Sequence, residues 1–387
     1  MDASTIALIG FVGMFVLIIL HVPIGVAMAV VGVGGFAAIA GLGPALTLLA
    51  TEPASTMSSL DLAVIPLFML MGGLATAGGL ARDIFSSAQA LVGHRPGGLA
   101  ATTIVASAGF GAVCGSGVAT TATFGRVALP EMLERGYSKG SAAGSVAAGG
   151  TLGIIVPPSS IMVLYAVLAE QSVLKLFSAA IVPAILSVVL YLTAISVVAR
   201  RNPSAMPRTE RLPVRERGKA LGKAWGAITL AVVVLGGIYS GVFTVNEAAA
   251  VGVVFAFFFA LLRGRLNRRT FLHVLSEASV ATVMIYVMVF GAMIFSYFVS
   301  VTGITGDIIG GIEHLNLPPT AVVFLLVVVY VVLGAIFDEV AAIDDCVFER
   351  RHHVLVDVPG LDRHYVVARC DRLAAEKRQH HGQRRKK

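Results

Sequence analysis

Charge is scarce in this chain. Asp, Glu, Lys and Arg make up 13% of its 387 residues, too few to coat a soluble domain of that size with water-facing groups. Aromatic residues reach only 7%, with a single tryptophan, so the stacking surface of a nucleic-acid groove is missing. The net charge of +7 lies between apolar runs, as in the cytoplasmic loops of a membrane protein. The three cysteines, Cys114, Cys346 and Cys370, show neither disulfide nor zinc spacing. No basic stretch precedes the first apolar run and no A-x-A-like site follows it, so Ile6 to Leu20 reads as a retained span rather than a removed signal. HExxH, GxSxG with suitable partners and intramembrane histidine pairs are also lacking, which argues against a membrane-embedded enzyme.

What is present is apolar. Hydrophobic residues make up 57% of the chain and the mean hydropathy is +0.87, a composition that only lipid accommodates as solvent. The 42 glycines and 15 prolines fit membrane helices, which tolerate both. Spans are expected near residues 4–21, 24–42, 62–80, 141–169, 177–199, 224–240, 246–262 and 279–300. The run 98–125 is broken by Gly109, Gly111, Gly115 and Gly117 and has basic residues on both flanks, so it is expected to enter and leave on one side as a re-entrant hairpin.

Lys and Arg set the orientation. Residues 200–223 hold eight of them and residues 263–269 hold four, which makes both loops cytoplasmic. The loop from Gly43 to Asp61 has none and is expected in the periplasm. Counting back puts the N-terminus outside and the Arg82/Arg95 segment inside.

The chain also resembles itself. Pro96 precedes Gly111-Ala112 by 15 positions, and Pro319 precedes Gly334-Ala335 by 15, an offset of 223. Upstream, Gly79 to Ile84 matches Gly303 to Ile308 at an offset of 224. The first copy crosses five times if the hairpin counts as zero, so the second copy starts on the opposite side. Two inverted repeats are expected, the arrangement of many secondary transporters, whose sites lie where helices break. The first repeat covers 1–203, a basic cytoplasmic linker 204–223, and an incomplete second repeat 224–342.

Two breaks carry candidate chemistry. Cys114-Gly115-Ser116-Gly117-Val118-Ala119-Thr120-Thr121 interrupts an apolar run with glycines and hydroxyls. Freed carbonyls there could replace the water shell of a sodium ion, or the segment could be a small-residue packing face. The second break holds Gly153, Val156, Pro157, Pro158 and Ser159. Its two prolines remove two backbone donors and leave the carbonyls one turn earlier without partners. A cation fits those carbonyls, and the helix restarting at Ser159 offers its positive end to an anion; a kinked helix satisfied by its neighbours is the alternative. Asn246-Glu247, after Phe243-Thr244, reads as a helix cap at the interface. Asp338, followed by Glu339, is an acid inside the last long apolar run, where a carboxylate is costly and usually functional; a juxtamembrane acid at a span's end is the alternative.

The stretch from Gly109 to Arg200 resembles the large membrane subunit of tripartite ATP-independent periplasmic (TRAP) transporters. Gly115-Ser116-Gly117-Val118-Ala119-Thr120, Leu129-Pro130-Glu131-Met132, Gly136-Tyr137 and the block from Gly150 to Ser159 carry the resemblance. It runs more thinly from residue 4 to about 342 and includes Phe337-Asp338-Glu339. The resemblance implies an all-α polytopic protein of the bacterial inner membrane, an elevator-type symporter of small carboxylates driven by sodium. It also implies a small four-helix membrane subunit and a periplasmic solute-binding protein as partners. No cofactor is called for beyond sodium as coupling ion, held by backbone near Ser116, Gly153, Val156 and Pro157. Cys114 stands where the family commonly has serine; a thiol suits a hard cation poorly, so its backbone carbonyl is what carries over. By resemblance Asp338 belongs to the tip of the second hairpin. A related anion carrier without a binding protein, and a channel, remain as alternatives.

Composition changes abruptly at residue 343. Of the residues from 343 to 387, 18 of 45 are charged, against 33 of the 342 before them. The change falls where the second hairpin is expected to turn near mid-membrane. The segment 343–387 is therefore expected not to be native to this fold, as after a frameshift near codon 343.

Overall fold

The computed structural model describes residues 3–207, 213–314, 318, 320–329, 331, 332 and 334, and all regular structure among them is helical. In chain order the elements are α1 (Ala3–Ile19), α2 (Ile24–Ala40), α3 (Leu42–Met57), α4 (Leu60–Ala77), α5 (Leu80–Val92), α6 (Gly98–Cys114) and α7 (Gly117–Glu134). There follow α8 (Lys139–Ile155), α9 (Ser160–Leu168), α10 (Val173–Arg201), α11 (Val214–Lys223), α12 (Trp225–Tyr239), α13 (Val245–Leu262), α14 (Arg268–Thr302) and α15 (Ile304–His314). Among the described residues, those within 24–298 form one compact unit, and those before 24 with those after 298 form another.

The all-α polytopic membrane architecture expected from composition is what the chain adopts. Helices α4, α10, α13 and α14 are each long and apolar enough to cross a bilayer, and the bent pairs α8–α9 and α11–α12 each qualify as one broken span. These coincide with six of the eight expected spans. The other two, α1 and α2, have 17 residues each, at the short end of the range of about 17–25 that crosses.

Three boundaries differ from the sequence reading. The segment 43–61, expected as a loop, is largely the helix α3, which continues through Pro53. The hairpin's second arm runs past residue 125 to Glu134, because the next stop signal is Gly136, at φ 81°. The linker 204–223 contains the helix α11. Asp338, Glu339 and the segment 343–387 lie outside the described residues.

Within the larger unit, small residues set how closely helices approach. A Cβ on Gly25 would lie 2.6 Å from the Met288 backbone, and one on Gly32 would lie 2.9 Å from the Phe295 nitrogen. α2 therefore rides backbone to backbone on α14. α13 packs on α4, and a capping box opens it: Thr244 Oγ1 accepts from Glu247 N, while Thr244 N donates to Glu247 Oε2 at 2.8 Å. Asn246 Nδ2 donates to Leu60 O at 2.8 Å, so this turn caps α13 and also ties it to the start of α4.

Polar contacts gather around α5 and the start of α6. Asp83 pairs with Arg263, whose guanidinium also lies 4.6 Å from the centre of the Phe259 ring. Gln89 Nε2 donates to Glu131 Oε1 at 3.0 Å, which links α5 to the hairpin's second arm. Tyr137 accepts from Leu99 N and donates to Pro207 O, both at 3.1 Å. Burial pushes the Tyr137 phenol above its usual pKa, which keeps it a donor.

The two matched segments share a local geometry. Gly79 (φ 83°) precedes α5 and Gly303 (φ 72°) precedes α15, both in the left-handed region that glycine enters freely. Asp83 N donates to Gly79 O at 3.3 Å and Asp307 N to Gly303 O at 3.4 Å. Within the smaller unit, Asp307 accepts from Ser4 Oγ at 3.2 Å.

The orientation assigned from Lys and Arg has a direct check. Ser55 and Ser204 are both exposed, whereas Cys114 is buried. With Cys346 and Cys370 changed to serine, Ser55→Cys is expected to react in intact cells with a membrane-impermeant thiol reagent, and Ser204→Cys only after the cells are opened. The opposite pattern would reverse the topology.

Candidate functional site

The site is built from two interrupted helices that share a face. α6 ends because Gly115 turns left-handed, at φ 63°, and its N–H returns to Gly111 O at 2.9 Å. Ser116 then restarts the chain as α7, its hydroxyl accepting from Ala119 N at 3.3 Å. In the second break α8 ends at Ile155 and the Pro157-Pro158 peptide is cis. Ser159 caps α9 by accepting from Met162 N at 3.5 Å. α8 and α9 meet at 47°.

The breaks interlock. Ser160 N donates to Gly115 O at 3.1 Å across them. A Cβ on Gly115 would lie 2.5 Å from Pro158 O, and one on Gly153 would lie 2.5 Å from Thr120 Oγ1 and 2.9 Å from Ser116 O. A Cβ on Gly117 would lie 2.5 Å from the Ile154 side chain. These glycines are there for close approach of backbone to backbone.

The structure thus brings together ten of the eleven residues singled out from sequence. Cys114, Gly115, Gly117, Thr120, Gly153, Pro157, Pro158 and Ser159 are buried, and Ser116 and Val156 are half-buried. Asp338 lies outside the described residues.

Backbone bookkeeping separates the two breaks. Ser116 O already accepts from Thr120 N at 3.0 Å and from Thr120 Oγ1 at 2.7 Å, and Gly115 O accepts from Ser160 N. In α8 the donors four residues beyond Gly153 and Ile154 would be Pro157 and Pro158, which have no N–H. Val156 caps α8 in an extended conformation, at ψ 120°, so its carbonyl also leaves the helix ladder. Three carbonyls, of Gly153, Ile154 and Val156, are thereby deprived of their helix partners in a region where such groups are costly.

Two hydroxyls add to this. Ser107 Oγ and Ser160 Oγ are buried without a hydrogen-bond partner among the described residues. Ser107 faces Gly149 of α8, whose added Cβ would run into its hydroxyl. Sequence reasoning did not single out Ser107, Ser160 or Ile154. Pro158, four residues after Ile154, was the available signal for the last; the two serines carry none in sequence. The Cys114 thiol is turned toward α4, where a Cβ on Gly72 would lie 2.6 Å from Sγ.

A separate cleft of about 750 Å³ opens between the start of α4, the α9–α10 turn and the α12–α13 turn. Its charged lining residues are Asp61 and Glu170. Glu170 adopts φ 51° at the end of α9, a left-handed position more usual for glycine.

Interlocked broken helices in a helical membrane protein are a feature of many secondary transporters. The family model for the tripartite ATP-independent periplasmic transporter, DctM component, matches residues 11–344, and the chain belongs to that family of transporters. It is 39% identical to the C4-dicarboxylate TRAP transporter large permease protein DctM of Pseudomonas aeruginosa, over 76% of this chain and 71% of that protein. The protein of the same name from Rhodobacter capsulatus is 36% identical, over 63% of this chain and 58% of that one. The isethionate TRAP transporter permease protein DctMQ of Oleidesulfovibrio alaskensis is 31% identical, over 87% of this chain and 52% of that protein. The chain therefore spans between 52% and 71% of the length of these relatives.

Proposed function

We propose that this chain is the large membrane subunit of a sodium-driven, binding-protein-dependent transporter that imports small carboxylates across the bacterial inner membrane. The observation that carries the reading is the set of three donor-deprived carbonyls, Gly153, Ile154 and Val156, at the end of a helix whose Gly153 lies against Ser116 and Thr120. Oxygen ligands of this kind suit a hard cation, and a bound sodium ion would satisfy groups that the helix cannot. Ser160 Oγ, buried and unpartnered beside the Gly115-Ser116 turn, offers a further oxygen. The N-termini of α7 and α9, at Ser116 and Ser159, present positive dipole ends to a carboxylate.

In this reading the two breaks move as one body, because Ser160 N to Gly115 O and the Gly153 contact join them. A hairpin and a broken helix sliding together against the remaining helices is an elevator. A small membrane subunit and a periplasmic binding protein complete the assembly, and the relatives named for C4-dicarboxylates and isethionate point to small anionic solutes. By repeat symmetry Asp338 belongs to the tip of a second hairpin.

The test is uptake in proteoliposomes holding an intact full-length version of this chain, with its second repeat complete, and the partners encoded beside it, using labelled succinate as the first probe. Uptake is expected only with an inward sodium gradient and with the binding protein present. Uptake driven equally by potassium would remove the sodium site. Uptake without the binding protein would favour a self-sufficient anion carrier.

A further inference from the structure

The transport site leaves α11 unexplained. It carries Arg215, Lys219 and Lys223 at intervals of four, which places them on one stripe of the helix. All three are exposed. The helix is docked through a different side: Arg217 Nε donates to Ala90 O at 2.9 Å, and Ala220 O accepts from Ser87 Oγ at 2.7 Å. With four cations and one acid, Glu216, α11 does not neutralise its own charge. Like charges four residues apart repel along a helix, so the stripe is complementary to an anionic surface.

The position of α11 names that surface. It runs at 45° into α12, and the pair qualifies as one broken membrane span. The apolar part of the span is α12, so α11 lies at its polar end, on the side where eight Lys and Arg gather between residues 200 and 223. The first residue of α12 is Trp225, 55% exposed and the only tryptophan of the chain. Exposed tryptophan next to lysine is the pattern of a helix end at the lipid headgroups.

We propose that the Arg215, Lys219 and Lys223 stripe binds the headgroups of anionic phospholipids at the cytoplasmic face of the membrane. The stripe is about 12 Å long, at a rise of about 1.5 Å per residue, enough to engage more than one headgroup. Bound there, lipid anchors α11, and through Arg217 and Ala220 it steadies α5.

Trp225 provides the assay. The full chain would be reconstituted in phosphatidylcholine vesicles containing increasing amounts of phosphatidylglycerol brominated in its acyl chains, and tryptophan quenching recorded. Phosphatidylglycerol is expected to be preferred over phosphatidylcholine at Trp225 by roughly fivefold or more, the effect of at least one engaged cation. The combined variant Arg215→Gln, Lys219→Gln, Lys223→Gln should bring the preference close to one. A control variant, Arg126→Gln, Arg268→Gln, Arg269→Gln, removes three other exposed cations and should keep it. No preference in the unaltered chain would mean that the stripe meets water or an acidic protein instead. An undiminished preference in the stripe variant, or an equal loss in the control, would equally overturn the proposal. The measurement needs no transport, so it stands or falls apart from the sodium site.

Discussion

In an intact full-length version of the chain, Gly153→Leu is expected to abolish sodium-dependent uptake while leaving the protein inserted in the membrane. Gly153 sits where α8 meets the hairpin, and even a single added carbon would lie 2.5 Å from Thr120 Oγ1 and 2.9 Å from Ser116 O. Leucine adds three further carbons with no room to turn away. α8 must then move off α7, which shifts the end of α8, with its Gly153, Ile154 and Val156 carbonyls, relative to the Gly115-Ser116 turn. Overpacking of about 3 kcal/mol, falling on the competent geometry, corresponds to a loss of roughly a hundredfold. Gly144 provides a control on the same helix: it is exposed and nothing lies within 4 Å of an added Cβ. Gly144→Leu should therefore transport normally. Gly153→Ala should fall between the two, and melting of each variant in detergent separates lost transport from lost fold. Uptake by Gly153→Leu at the unaltered rate would remove this glycine, and the site built on it, from the mechanism.

The second expected result concerns the DNA. One inserted or deleted base near codon 343 is expected to restore an apolar reading frame for about 80 codons, by analogy with the first repeat. The first hairpin shows why: α6 and α7 are the two arms of one turn, and both arms are needed to cover it. At an offset of 223, Ala119 in the first turn of α7 corresponds to Ala342. From there the chain becomes charged at 18 of 45 positions, a composition that cannot form the apolar return arm of a hairpin. The family match ends at residue 344, within two residues of the change. Sequencing the gene and translating all frames decides the matter. If no other frame is apolar, or if the 387-residue product transports with its partners, the segment is genuine.

Much of the architecture was legible before any coordinates. A bilayer admits only segments that satisfy their own backbone, so long apolar runs had to be helices, and α4, α10, α13 and α14 fell where hydropathy put them. The loss of donors at Pro157 and Pro158 follows from covalent chemistry alone, as does the turn that only glycine makes easily at Gly115. By itself, then, the sequence determined the solvent, the helical class, the positions of the two breaks and the family.

Tertiary structure decided what each break does for the other. That Ser160 N reaches Gly115 O, that Gly153 lies against Thr120, and that Ser107 and Ser160 are left without partners depend on α6, α7 and α8 packing at backbone distance. No local pattern encodes contacts between residues so far apart in the chain. The same holds for the loop that became α3 and the linker that became α11. Short amphipathic or mildly apolar segments are marginal as isolated helices, and docking makes the difference, as with Arg217 and Ala220 on α5. Local rules chose where the chain bends; the packing of small residues chose which carbonyls were left to bind something else.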